Sequence, residues 1–191
     1  MAKIQMAPDS MMIVNPVVLA GSLVNGKPNF MAVAWCSVAD MSPPMIVIAI
    51  SPSRYTMKGI EENKEFSINT PSADLVKEAD YCGLISGSRT DKSAVCGFNI
   101  FYGKLKNAPL IEQCPVNVAC KLEKIVNLGS HSLVVGRVAE TYLNDNCVVN
   151  GMVAVRNINP IVFADGQPPE YCVLGKNIGS PFEIGNALKK K

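Results

Sequence analysis

The chain has 191 residues, of which 48% are apolar and 18% are charged, and its formal net charge is +2. This length suits one domain or two very small ones, and the composition excludes an intrinsically disordered chain. Basic residues are spread along the chain apart from Lys189, Lys190 and Lys191 at its end, so no nucleic-acid partner is expected.

The N-terminal segment and the cysteines indicate where the chain works. Residues 1–9 contain no apolar core of a secretory signal, and the longest apolar runs are too short to cross a bilayer. A cytoplasmic protein without a membrane partner is therefore expected. The seven cysteines contain no C-x-x-C pair, which argues against a metal site, and so many unpaired thiols suit a reducing compartment. Most of them are expected to be small buried residues.

The first predicted elements are a β-hairpin and a further strand. Residues 17–24 and 30–36 are apolar runs separated by Asn25-Gly26, a pair suited to positive φ at both turn positions. After two prolines, residues 45–50 form a continuous apolar run, which predicts a strand buried on both faces.

Two short helices are predicted next, with a strand at residues 66–70 between them. Ser53 is a suitable N-cap for the first helix, which ends within residues 61–64. Ser72 is a suitable N-cap for the second helix, and Gly83 is its stop signal.

The second half of the chain predicts a long loop and then more strands. Residues 83–103 form the loop, strands follow at 116–126, 132–142 and 161–163, and a loop-rich tail starts at Tyr171. Six or seven strands with two short helices, without regular βαβ alternation, predict a mostly β, antiparallel barrel in a single domain spanning residues 1–191. The absence of G-x-G-x-x-G and Walker A sequences disfavours Rossmann and P-loop folds.

The segment at residues 51–56, Ser-Pro-Ser-Arg-Tyr-Thr, follows a strand and opens a helix. Free N–H groups at a helix N-terminus, the hydroxyls of Ser53 and Thr56, and the guanidinium of Arg54 all match a phosphate. The local pattern also fits a simple capped helix with a solvated Arg54, and both interpretations stay open at this point.

Three other segments are ambiguous on their own. In residues 29–36, which include the only Trp, the small side chains of Ala32 and Ala34 either let a flat ligand approach the backbone or pack inside the barrel. In residues 86–92, Arg89 or Lys92 either supplies a second cation or is solvated. His131, the only histidine, has no Ser and carboxylate arrangement around it for hydrolysis, and its local pattern fits a surface residue at a strand end.

Taken together, these segments resemble the flavin reductase-like family. The likeness covers residues 12–185, and its motifs occur in the family's order at 26–36, 43–50, 51–56, 66–69, 86–92 and 129–136. Residues 71–76, Pro-Ser-Ala-Asp-Leu-Val, and residues 80–83, Asp-Tyr-Cys-Gly, are similar to the flavoredoxin branch.

The resemblance implies an FMN-binding split β-barrel that works as a homodimer, with residues 171–191 as a C-terminal arm at the dimer interface. It places the flavin ring along the backbone of Ala32, Val33, Ala34, Trp35 and Cys36, and it adds Asn29 and Met31 as cofactor-binding residues. It places the phosphate at Ser51, Pro52, Ser53, Arg54 and Thr56, and it closes the site with Ser86, Gly87 and Lys92. His131 is the implied catalytic residue, close to the flavin and to the electron donor or acceptor.

The implied activity is that of an oxidoreductase whose bound FMN takes electrons from NADH or NADPH. Those electrons pass to free flavin, ferric iron or a redox protein. Two alternatives stay open. One is a flavoredoxin-type carrier that a protein such as ferredoxin reduces, without its own NAD(P)H site. The other is a non-catalytic FMN-binding protein.

Overall fold

Antiparallel strands dominate the computed structural model, which describes residues 1–10 and 13–189. Lys190 and Lys191, the last residues of the predicted arm, lie outside the described residues. The strands are β1 (Val14–Pro16), β2 (Val18–Val24), β3 (Lys27–Val33), β4 (Cys36–Met41), β5 (Pro44–Ile50), β6 (Glu65–Thr70), β7 (Ile100–Phe101), β8 (Leu110–Ile111), β9 (Val116–Asn127), β10 (Ser132–Leu143), β11 (Val148–Val149), β12 (Met152–Val153), β13 (Val162–Ala164) and β14 (Glu170–Cys172).

The helices are short. They are α1 (Tyr55–Asn63), α2 (Val76–Leu84), α3 (Lys92–Val95) and α4 (Val155–Ile158), with 3-10 turns at Ala73–Leu75, Asp145–Cys147 and Ile184–Leu188. Among the described residues, none of these helices has the length and apolar content needed to cross a membrane.

Seven strands form one antiparallel sheet in the order β3-β2-β6-β9-β10-β5-β4. Its two edge strands, β3 and β4, follow each other in the chain and are joined only by Ala34 and Trp35. The amide of Ala49 in β5 donates to the carbonyl oxygen of Trp35 at 2.9 Å, which holds this junction against the sheet. The sheet therefore curls into a barrel that stays split between β3 and β4. The prediction of a mostly β, antiparallel split barrel with short helices is confirmed.

Two apolar cores lie on opposite faces of β2 and β3. Inside the barrel, Phe66 and Ile48 pack with Met57 of α1. On the outer face, Phe30 packs with Cys82 of α2 and with residues of the 98–114 segment. Because successive side chains of a strand point to opposite faces, β2 needs apolar residues at nearly every position to serve both cores. This explains the unbroken apolar run that predicted it.

A buried amide network ties the chain around β8 to the barrel. The side-chain amide of Asn69 donates to the carbonyl of Leu19 at 3.0 Å and to Ser67 Oγ at 2.9 Å. Its Oδ1 accepts the amide of Ile111 at 3.0 Å and the side-chain amide of Asn117 at 2.8 Å. All four bonds are buried, so this single side chain joins β2, β6, β8 and β9.

The strand predictions hold with two corrections. The hairpin is confirmed, since Asn25 and Gly26 have φ of 52° and 74°. The predicted strand at 30–36 is wrong at its end, because β3 stops at Val33 and the chain turns into a separate edge strand, β4. The prediction that residues 45–50 are buried on both faces is also wrong. Only Ile48 and Ile50 are buried there, because the other face of β5 lies near the barrel surface.

Both predicted helices form, but their caps differ from the prediction, and α3 and α4 were not predicted. Arg54 rather than Ser53 is the N-cap of α1, and its side chain makes no capping bond. Ser72 precedes a 3-10 turn, so α2 itself begins four residues later and passes Gly83 by one residue. The predicted loop at 83–103 contains α3 and β7. The carboxylate of Asp91 accepts a backbone N–H of α3, which starts that helix.

Candidate functional site

Two adjoining cavities, of about 380 Å³ and 150 Å³, open at the end of the barrel where β3, β5, α1 and α2 meet. The larger part lies against α1 and residues 82–87 and is the helix end of the cleft. The smaller part follows residues 31–35 and is the strand end. The two parts form one barrel-end cleft, because they share the lining residues Met31, Ala32, Ser51, Arg54 and His131.

Hydroxyl groups and an arginine line one wall of the helix end. Ser51 Oγ and Ser53 Oγ lie 2.9 Å apart and share a hydrogen bond, and the amide of Ser53 donates to Ser51 Oγ at 3.4 Å. Arg54 is exposed, and its guanidinium has no hydrogen-bond acceptor among the described residues. This wall therefore offers donor groups at the point where α1 begins.

Another part of the wall is a close approach of the 86–88 segment to side chains of β3 and α1. Asn29 Nδ2 donates to Thr56 Oγ1 at 2.7 Å in a buried hydrogen bond. Gly87 lies directly on this pair, since a Cβ added to it would overlap Asn29 Oδ1 and would stand 3.1 Å from Tyr55 Cδ1. Only glycine fits there, so the 86–88 segment can close on β3 and α1. Ser86 Oγ and Ser88 Oγ lie 2.9 Å apart beside it.

Lys92 is a nearly buried cation at the same end of the cleft. Its side chain is only 4% exposed, and its Nζ donates to the carbonyl oxygen of Cys82 at 3.0 Å. Burial lowers the pKa of Lys92 below the usual lysine value, and the Arg54 guanidinium lowers it further, while the Cys82 and Cys96 thiols act in the opposite direction.

Among the residues that the structure describes, no carboxylate forms an ion pair with either of these cations. In residues 1–10 and 13–189, the single ion pair joins Arg137 and Glu123, elsewhere on the sheet. Arg54 and Lys92 therefore face one cavity without a described counter-ion, and an anion bound between them would supply it. No group of three or more metal-ligating side chains converges in the described ranges.

An aromatic pair lies at the strand end. The rings of Trp35 and His131 have centroids 4.7 Å apart and are tilted by 52°. Ser130 Oγ lies 3.1 Å from His131 Nδ1, so a hydrogen bond orients the imidazole. Trp35 is about half exposed, and it also borders a separate apolar cavity of about 540 Å³ on its other side.

The structure brings together most of the residues that the sequence predicted. His131 and thirteen of the predicted cofactor-binding residues line the cleft: Asn29, Met31, Ala32, Val33, Ala34, Trp35, Ser51, Ser53, Arg54, Thr56, Ser86, Gly87 and Lys92. Pro52 is exposed and Cys36 lines the separate cavity, so both lie outside the cleft wall. Burial raises the pKa of the Cys36 thiol to about 11.

Sequence reasoning missed lining residues from α2 and from its C-terminal end. Cys82, Gly83 and Ile85 line the helix end of the cleft, together with Tyr55 of α1. Tyr55 lies inside the 51–56 segment. Residues 80–83 carry a helix stop and a similarity to the flavoredoxin branch, but only the packing of α2 on β3 shows that Cys82 and Gly83 line the cleft.

Comparison with known proteins assigns the family. The flavin reductase like domain matches residues 11–169. A curated relative from Archaeoglobus fulgidus, an uncharacterized protein, is 33% identical over 59% of this chain and 63% of its own length. The FMN reductase (NADH) RutF of Pseudomonas syringae is 26% identical over 57% of this chain and 58% of its own length. The chain thus spans less than two thirds of these curated relatives.

Solved structures extend the likeness to nearly the whole chain. The flavoredoxin of Methanosarcina acetivorans is 33% identical, with a TM-score of 0.94 over 99% of this chain and 100% of that one. The flavoredoxin of Desulfovibrio vulgaris is 27% identical, with a TM-score of 0.89 over 96% of this chain and 100% of that one. The chain belongs to the flavin reductase-like family.

Proposed function

We propose that the chain binds FMN in the barrel-end cleft and acts as an oxidoreductase through it. The observation that carries this proposal is the pair of cations, Arg54 and Lys92, that face one cavity without a described carboxylate. FMN ends in a phosphate dianion, which would neutralise both. The family match and the FMN reductase and flavoredoxin relatives support the same ligand.

The residues present fit the two ends of FMN. At the helix end, the hydroxyls of Ser51, Ser53 and Ser86 and the guanidinium of Arg54 are hydrogen-bond donors for phosphate oxygens. The contact of Gly87 with Asn29 closes that end of the cleft. At the strand end, β3 is an edge strand, so one row of its N–H and C=O groups is free to meet the polar edge of a flat ring.

When bound, FMN supplies the electron and hydride transfer that side chains cannot perform, while the protein positions it. We assign His131 to the strand end, where its imidazole lies against Trp35 and would orient an electron donor or acceptor or stabilise negative charge. The rest of the cleft wall excludes water and holds the phosphate.

Two electron routes remain to be separated. In the first, NADH or NADPH reduces the bound FMN, and free flavin, ferric iron or a redox protein reoxidises it. The name of the Pseudomonas relative, FMN reductase (NADH), supports this route. In the second, a protein such as ferredoxin reduces the FMN, without a pyridine nucleotide site. The two flavoredoxins and their coverage of nearly the whole chain support this carrier.

Anaerobic reduction separates the two routes. The purified protein is loaded with FMN, and its flavin absorbance is followed after addition of NADH, NADPH or reduced ferredoxin. Bleaching by a pyridine nucleotide supports the reductase, and bleaching by ferredoxin alone supports the carrier. FMN that binds but is bleached by none of the three supports a non-catalytic FMN-binding protein. A protein that cannot be loaded with FMN would refute the proposal itself.

We also propose that the active form is a homodimer that covers the split side of the barrel. Val38 and Met41 on the edge strand β4 are exposed, and the apolar cavity of about 540 Å³ beside Trp35 is lined by Val14, Val47 and other apolar residues. A second copy would cover this face, and residues 171–191 would act as an arm at the interface. Light scattering at micromolar protein is expected to give twice the chain mass, and a value near 20.5 kDa would contradict the dimer.

A further inference from the structure

Two free cysteines, Cys82 and Cys96, meet where α3 packs on the end of α2. Cys82 is buried and Cys96 is half-buried, and neither forms a disulfide in the structure. Lys92 Nζ lies 3.0 Å from the carbonyl oxygen of Cys82, and Cys96 Sγ lies 4.0 Å from the carbonyl oxygen of Glu78. These carbonyls are one helical turn apart on α2, so both contacts fall on the turn that ends at Cys82.

The two thiols also belong to one apolar cluster, in which Cys96 packs against the buried core that contains Cys82. On α3, Lys92 and Cys96 are likewise one turn apart, since the amide of Cys96 donates to the carbonyl oxygen of Lys92 at 3.0 Å. The turn that carries Lys92 and Cys96 is therefore held against residues 78–82 of α2.

The segment between these cysteines is one wall of the barrel-end cleft. Residues 83–95 contain Ser86, Gly87 and Lys92, which line its helix end, and Cys82 lines it as well. A bond between Cys82 and Cys96 would close a covalent ring around this wall and limit how far it can move away from β3 and α1.

We propose that Cys82 and Cys96 form a reversible disulfide that controls the mobility of the 83–95 wall of the cleft. The oxidant is a small-molecule disulfide such as glutathione disulfide. Cys96, the less buried thiol, loses its proton and attacks one sulfur of the oxidant, and the released thiolate takes up a proton. Cys82 then displaces the second thiol from Cys96. In total, two protein thiols become one disulfide, and one external disulfide becomes two thiols.

The surroundings of Cys82 and Cys96 slow the thiol–disulfide exchange, because burial disfavours both thiolates. Burial raises the pKa of Cys82 to about 12, and burial also raises the pKa of Cys96. The neighbouring charges are Lys92, which favours the thiolates, and Glu78, which disfavours them. Because only thiolates attack disulfides, oxidation is expected to accelerate with pH. Cys114 lies in the same buried cluster as Cys82, so it is the competing partner for a disulfide. Burial raises the pKa of the Cys114 thiol to about 12.

Peptide mapping of the full chain tests the bond without any flavin. Protein equilibrated with glutathione and glutathione disulfide is denatured in the presence of an alkylating reagent and then digested with trypsin. From the positions of Lys and Arg, Cys82 falls in peptide 78–89 and Cys96 in peptide 93–104, while peptide 107–121 contains both Cys114 and Cys120. The expected product joins 78–89 to 93–104 and disappears with dithiothreitol. A link from 78–89 to 107–121, or full alkylation of both cysteines under oxidising buffer, would overturn the proposal.

Matched variants assign the bond. Cys96→Ser is expected to abolish the link, and Cys172→Ser, which changes an exposed cysteine of the arm, is expected to leave it unchanged. Cys96→Ala repeats the test if the serine variant does not fold. Loss of the link in Cys172→Ser would contradict the assignment.

The effect on the cleft rests on the proposed function and is measured separately. Oxidation is expected to slow FMN release and to lower its Kd by about threefold to tenfold, tenfold being about 1.4 kcal/mol. Cys96→Ser should show no such response to oxidant. An identical Kd in the oxidised and reduced wild type would refute control of the wall, even with the link present. A mapped link in a protein that binds no FMN would refute the proposed function and leave the disulfide standing.

Discussion

Removal of the Arg54 guanidinium gives a direct test of the phosphate end of the cleft. In Arg54→Ala the backbone of the N-cap is kept, and that residue's side chain makes no capping bond. No hydrogen bond within the described part of the chain is therefore lost, and the fold is expected to be unaffected. Any change in affinity then reports on the ligand.

The size of the effect follows from the exposure of the arginine. A hydrogen bond between charged groups contributes about 1.5–3 kcal/mol. Arg54 is exposed, so solvent screens part of this energy and the lower end, about 1.5 kcal/mol, is expected. That energy corresponds to about a tenfold rise in the Kd for FMN. Lys92 stays in place, so binding is weakened rather than lost.

Parallel titrations with FMN and riboflavin show whether the arginine acts on the phosphate. FMN affinity is expected to fall in Arg54→Ala, while riboflavin, which lacks the phosphate, binds wild type and variant equally weakly. Arg89→Ala is the matched control, because Arg89 lies two residues after Gly87, is exposed and does not line the cleft. Equal losses for both ligands would mean that Arg54 supports the fold, and an unchanged Kd for FMN would place the phosphate elsewhere.

Three other substitutions test the wall, the aromatic pair and the fold. Gly87→Ala is expected to raise the Kd for FMN about tenfold or more, because the added Cβ overlaps Asn29 Oδ1 and displaces the side chain whose Nδ2 donates to Thr56. An unchanged Kd for FMN would contradict this close approach of Gly87 to Asn29. His131→Ala is expected to slow flavin reduction or reoxidation in stopped flow while FMN affinity is unchanged, and superimposed traces from wild type and variant would exclude a role in electron transfer. Asn69→Ala is expected to lower the free energy of unfolding, measured in urea, by about 2–4 kcal/mol, because it leaves the amide of Ile111 and other buried groups unpaired. A loss below about 1 kcal/mol would contradict the stabilising role of the buried amide network around Asn69.

Local chemistry allowed one half of the cleft to be predicted from the sequence. Residues 51–56 carry hydroxyls and an arginine at a strand-to-helix junction, and the structure places Ser51, Ser53, Arg54 and Thr56 in the cleft. The cap was assigned wrongly because Ser53 bonds to Ser51 instead of to the helix. Short polar side chains have several local acceptors, and spacing does not show which one they use.

The other half depends on packing between distant parts of the chain. Gly87 faces Asn29, which is 58 positions earlier, and the sequence around either residue does not indicate this contact. The family resemblance named Gly87, but the reason for glycine appears only in three dimensions. The separate strand β4 was missed for a related reason. The run at residues 30–36 looks uniform, and its break at Ala34 and Trp35 comes from the end of pairing between β2 and β3.

The split of the barrel links the proposed cofactor site to the proposed dimer. A closed barrel would pair β3 with β4 and use up the free N–H and C=O groups of both edges. Here β3 remains an edge beside the strand end of the cleft, where its backbone can meet a ring, and β4 remains an edge on the other side of Trp35, beside the apolar cavity. Trp35 borders both the cleft and the apolar cavity, so a second copy bound at β4 would contact Trp35, which packs against His131. Loss of the dimer is therefore expected to change electron transfer at the strand end more than phosphate binding at the helix end.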